Sequence, residues 1–101
     1  AIRERVELAR ARQLVRYRSF ATVTCNAHVH GRWLDLRGGL EQDARDLLAT
    51  AADRLRLSAR GYHRVLKVAR TIADLDGDPG ICRRQVAEAL HYRTDPSAVL
   101  Q

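Results

Sequence analysis

Leu57-Ser58-Ala59-Arg60-Gly61-Tyr62-His63-Arg64-Val65-Leu66-Lys67-Val68-Ala69-Arg70-Thr71-Ile72-Ala73-Asp74-Leu75 is the stretch on which the fold turns. Tyr62, Val65, Leu66, Ala69, Ile72 and Ala73 recur at spacings of three and four and form one apolar face of a helix over about 59–76. Ser58 precedes it as an N-cap, and Gly77-Asp78-Pro79-Gly80 stops it. The opposite face carries Arg60, Arg64, Lys67 and Thr71, flanked by His63 and Arg70. Its charges run against the helix dipole: cations crowd the first half, while Asp74 and Asp76 sit at the end. Each misplaced charge costs roughly 0.3–1 kcal/mol.

Working outward, Ala44, Leu47, Leu48, Ala51 and Leu55 make the apolar face of a helix over about 41–57, joined to the first by a very short turn. Val86, Ala89 and Leu90 mark another over roughly 82–93. Residues 2 to about 18 lack Gly and Pro but show only loose periodicity at Ile2, Val6, Ala9 and Leu14. Arginines at 3, 5, 10, 12, 16 and 18 circle that helix, so it can bury only a narrow stripe. Residues 20–39, with their β-branched residues, Gly31 and the Gly38-Gly39 breaker, read as irregular, with room for a short extended piece at 21–25. The expected fold is all-α, a small bundle of about four helices with an irregular segment between the first two. Its parts are a basic helix at 1–19, a connector at 20–39, a helical core at 40–93 and a flexible tail at 94–101.

The chain has 101 residues, 18 Lys and Arg against 12 Asp and Glu, a net charge of +6, and one lysine among its bases. That length allows one domain and excludes a complete P-loop ATPase, a TIM barrel or a doubly wound enzyme. No apolar run approaches the roughly 20 residues of a membrane span, and no signal-peptide pattern opens the chain. Two cysteines are too few for a disulfide scaffold, so a cytoplasmic setting is expected. The chain opens on Ala1 and reads as a processed or excised piece. Residues 1–39 hold eight bases and three acids, so the positive charge is concentrated there. It permits nucleic-acid or phosphate contact without establishing it.

Two readings of the basic helix face stay open on charge placement alone. Either Arg60 meets an anion at the N-terminal end of its helix, or Arg60 and Arg64 pair with Asp53 or another carboxylate on a solvated surface. Cys25, His28 and His30 form a C-x2-H-x-H cluster, with Cys82 and His91 as further ligand types, yet the spacing fits no finger or ribbon. No metal is expected, and His63 and His91 read as ordinary helix histidines. Trp33 with Leu34 and Leu36 reads as a core patch rather than a stacking platform. No phosphate-binding glycine motif and no catalytic carboxylate pair is present.

The run from Leu57 to Leu75 resembles the C-terminal region of magnesium-chelatase-like AAA+ ATPases of the YifB/ComM type. So do Asn26-Ala27 with Gly31-Arg32, Ala51-Ala52-Asp53-Arg54-Leu55, and Val86-Ala87-Glu88-Ala89-Leu90 followed by Tyr92-Arg93. The resemblance covers about residues 3 to 93 and implies the helical lid that follows a nucleotide-binding core. In such lids an arginine near the start of the third helix, the sensor-two arginine, reaches nucleotide held by the core. Ser58-Ala59-Arg60-Gly61 is similar to that motif, which makes Arg60 the expected nucleotide-sensing residue and Arg64 a weaker second. Arg70 suits a structural ion pair equally well. The implied cofactors of the parent are ATP and Mg2+, with none expected for these residues alone. The implied partners are an AAA+ core and neighbouring subunits of a ring, a hexamer, with DNA as a further candidate and no membrane. No catalysis is expected from this piece in isolation. The alternative is a stand-alone basic nucleic-acid-binding module led by Arg10, Arg12, Arg16 and Arg18.

Overall fold

In the computed structural model, which describes residues 1–92, the bundle is organised around its longest helix. Five helices follow in order: α1 (Ile2–Arg16), α2 (Gly31–Arg37), α3 (Gln42–Arg54), α4 (Ala59–Asp76) and α5 (Arg83–His91). α4 has the expected ends. The Ser58 hydroxyl accepts from the Gly61 N–H at 3.0 Å, and Gly77 closes the helix in the left-handed region at φ 78°, where glycine carries no Cβ penalty. α1, α2 and α5 all pack on α4, and α3 packs on α5. Val65, Leu66, Ala69, Ile72 and Ala73 are buried at the centre, against Leu34 of α2, Ala44 and Leu48 of α3, Ile81, and Val86 and Ala89 of α5. Among the described residues no helix is long and apolar enough to cross a membrane.

The expected all-α bundle is observed, with five helices where about four were expected. The connector at 20–39 contains α2, seven residues long. Its entry is held by His30, whose Nδ1 accepts from the Arg32 N–H at 3.2 Å. Its exit is Gly38, and Leu34 is fully buried. No strand forms at 21–25; the extended backbone among the described residues is one parallel bridge between Leu40 and Ile81. α3 and α5 are each shorter than their apolar patterns, and the 94–101 tail lies outside the described residues.

The joint between α2 and α4 depends on glycine for space. A Cβ on Gly31 would stand 2.3 Å from Cγ of His63 and 2.5 Å from its Cβ. These atoms lie near the helix backbone and cannot swing away. Gly31→Ala is therefore expected to lower stability by about 1–3 kcal/mol, the usual cost of overpacking. Thermal denaturation followed by circular dichroism measures it, and an unchanged midpoint would show that α2 can shift freely.

α1 differs most from its sequence pattern. Of Ile2, Val6, Ala9 and Leu14, only Ala9 is buried, and Leu14 stays 57% exposed. The inward stripe is instead Ala9, Gln13 and, just past the helix end, Tyr17. Tyr17 stacks with Phe20 and Trp33 at centroid distances of 5.9 and 5.7 Å. This aromatic trio joins the end of α1 to α2. Of the expected core patch Trp33-Leu34-Leu36, Leu34 is buried and Trp33 partly so, while Leu36 is exposed.

Candidate functional site

The two ends of α4 have different electrostatic surroundings. At the C-terminal end, the fully buried Asp74 carboxylate accepts from Nη1 of Arg16 on Oδ2 and from Nη2 on Oδ1. Arg70, one turn back, stands 3.2 Å from Oδ1, and Asn26 Nδ2 donates to Oδ2 at 2.9 Å. Burial alone would make this carboxylate costly; two cations and an amide compensate it. The hydrogen bond to Asp74 raises the pKa of Arg16 above its ordinary value, while burial lowers that of Arg70. Both remain charged at neutral pH.

Asn26 organises the network around this pair. Its backbone N–H donates to Gln13 Oε1 at 2.9 Å, and its Oδ1 accepts from Tyr17 Oη at 2.6 Å and Arg16 at 3.0 Å. Tyr17 is held in its neutral form by burial, which raises its pKa. Arg70 has a second task. Its Nη1 donates to the carbonyls of Gly38 at 2.7 Å and Pro79 at 3.0 Å, and its Nη2 to Asp78 at 2.8 Å. It thus clamps both loops of the Leu40–Ile81 bridge from beneath. Gln85 fastens the same corner, donating to Asp76 and Asp78 at 3.1 and 2.6 Å and accepting from the Cys82 N–H at 3.0 Å. Asp76 is also within 3.2 Å of Arg5 and 3.5 Å of Arg84. The acids placed against the dipole are all satisfied within the domain.

The N-terminal half of α4 shows no such compensation. Arg60, in the first turn, and Arg64, one turn on, are exposed. Neither makes an ion pair or side-chain hydrogen bond among the described residues, with Asp53 or any other carboxylate. Farther along that face, Lys67 Nζ donates to the Ala27 carbonyl at 3.3 Å and Thr71 meets Asn26. The connector therefore covers the face from Lys67 onward and leaves the two arginines open. Behind them, Asp35 ties three helices: Arg45 bonds its carboxylate at 3.0 Å and its carbonyl at 2.7 Å, and Tyr62 Oη donates to it at 3.2 Å. Burial is the main reason that the Tyr62 pKa is raised.

The four arginines of the nucleic-acid reading divide. Arg12 donates to the Asp74 carbonyl at 2.7 Å and Arg16 is committed to the Asp74 carboxylate, whereas Arg10 and Arg18 are exposed. Sequence reasoning did not find the roles of Asn26, Gln13 and Gln85. For Gln13 and Gln85 the available signal was a polar residue where the helix period calls for an apolar one; Asn26 lies in a turn, where no period applies. Cys25 and Cys82 are free thiols, and among the described residues no three His, Cys, Asp or Glu side chains are grouped to hold a metal ion.

The chain is thus a small all-α domain with a buried ionic clasp at one end of its main helix and open arginines at the other. The family described as magnesium chelatase, subunit ChlI, C-terminal matches residues 1–93, and the chain belongs to it. It is similar to competence protein ComM of Haemophilus influenzae, 43% identical over 68 residues that span 67% of this chain and 13% of that protein. It is also similar to the uncharacterised protein YifB of Salmonella typhimurium, 36% identical over 92 residues that span 91% of this chain and 17% of that protein. An uncharacterised protein of Mycobacterium tuberculosis is 43% identical over 94 residues, 91% of this chain and 18% of that protein. The chain thus spans less than a fifth of the length of these relatives. No solved structure matches it significantly.

Proposed function

We propose that this domain is the helical lid of an AAA+ ATPase module and that Arg60 is its nucleotide-sensing residue. One observation carries the reading: Arg60 and Arg64 stand exposed and unpaired among the described residues, while the acids misplaced at the other end of α4 are all compensated. An unpaired guanidinium in the first turn of a capped helix suits a phosphate, because its fork stays charged and donates two hydrogen bonds at once. ATP would be the substrate, and its Mg2+ would be held by acids outside these residues. Arg60 would bind the terminal phosphate and help stabilise charge as that phosphate is transferred. Arg64 would reinforce the field. Arg70, whose terminal nitrogens are taken up by three carbonyls and Asp74 while its buried Nε has no partner among the described residues, is a structural residue. Neighbouring subunits of a ring are the further partners that this reading brings.

The experiment is Arg60→Ala in the polypeptide translated from the full reading frame that encodes these residues. ATP turnover should fall on the order of a hundredfold, as when one preorganised donor to developing charge is removed. The melting curve of the 101-residue domain should not move. Unchanged turnover together with unchanged nucleotide affinity would remove the assignment.

A further inference from the structure

The geometry points to the outward face of α1 as the surface that docks this domain onto the remaining, far longer part of its own polypeptide. α1 is amphipathic in the wrong sense for an independent domain. Its inward stripe is small and polar, with Ala9 and Gln13 buried and Arg5, Arg12 and Arg16 reaching the acids and carbonyls at the end of α4. Its outward stripe holds the larger apolar side chains: Leu8 is 55% exposed, Leu14 57% and Val15 62%. At about 100° per residue, Leu8, Ala11 and Val15 fall within about 60° of one another, and Leu14 extends the stripe. Scattered exposed leucines need no explanation, but a contiguous stripe on one helix does.

Size decides between occupants. The outward half of a 15-residue helix, about 22 Å long and about 10–12 Å across, has a surface on the order of 400 Å². Each partner of a stable intermolecular complex buries roughly 800 Å². The stripe is too small to hold a second copy of this chain or an independent protein. A tethered segment needs much less, because linkage supplies an effective concentration in the millimolar range. The relatives provide such a segment, since this chain spans only 13–18% of their length. Glu4 and Glu7 lie on the same face toward the N-terminus and Arg10 lies beside Leu14, so the receiving surface is apolar with a rim of mixed charge.

The inference rests on the reading of the chain as one segment of an ATPase, and its test needs no nucleotide. Val15→Cys is made in the 101-residue domain and in the polypeptide from the full reading frame, and maleimide labelling is read by mass on the peptide carrying residue 15. That readout separates it from Cys25 and Cys82. Labelling should be fast in the domain and slower by about tenfold or more in the full polypeptide, the ratio expected if the face is covered about nine-tenths of the time. Equal rates in both would overturn the proposal, whatever Arg60→Ala does to turnover. So would labelling of the domain that slows with its own concentration, because the occupant would then be a second copy.

Discussion

Asp74→Asn is expected to lower the stability of the domain by about 3–5 kcal/mol, the range found when one partner of a buried ion pair is removed. Urea unfolding followed by circular dichroism measures it. Asparagine keeps the shape and the contact with Asn26, so the effect is electrostatic rather than a cavity. The two arginines respond differently to the loss. Arg16 has a side chain still 19% exposed and can turn toward water, whereas Arg70 is 1% exposed and cannot. Arg70 is then a buried cation with only backbone carbonyls around it and Arg16 repelling it. A domain of this length has about 5–15 kcal/mol in total, so the loss is a large share of the whole. A change under about 1 kcal/mol would show that solvent already reaches the pair well enough to screen it.

Arg70→Met tests the same clasp from the other side and has a distinctive signature. Asp74 keeps Arg16 and Asn26, so no charge is stranded. The cost comes from the carbonyls of Gly38, Asp78 and Pro79, which lose their donor at roughly 1–3 kcal/mol for each that stays dry. Methionine refills most of the volume with a flexible apolar chain. The single variant should therefore melt well below the parent. The double variant Asp74→Asn with Arg70→Met should lose clearly less than the sum of the two single losses, because the second change removes the uncompensated buried cation that the first creates. Two losses that simply add would refute the view that these residues act as one unit.

The legible and illegible parts of the fold differ in what holds them. α4 could be read to the residue because its periodicity, serine cap and glycine stop all agree. α2 could not, since seven residues starting at glycine carry too little pattern. It is helical because Leu34 fills the core, Gly31 fits against His63, and Asp35 is held by α3 and α4. α1 could be read as a helix, but its orientation could not, because the apolar rule pointed to Ile2 and Leu14 while Gln13 and Arg16 face inward. In the candidate site, the dipole conflict on α4 was visible in the sequence. That it is compensated at one end and not at the other depends on partners up to 71 residues away, which no local pattern encodes.

Those separations also bear on the order in which the domain assembles. The bond between Gln85 and Asp78 spans 7 residues, whereas Arg16 to Asp74 spans 58. Loop-closure entropy rises as the logarithm of length, so bringing α1 home costs about 2 kcal/mol more than closing the α4–α5 corner. The corner can form from local chain alone. Docking α1 on Asp74 is the costlier closure, and it is held by charge and amide bonds together with the Tyr17, Phe20 and Trp33 rings. The helix that carries the outward apolar stripe is thus also the one whose anchoring to the bundle closes the longer loop.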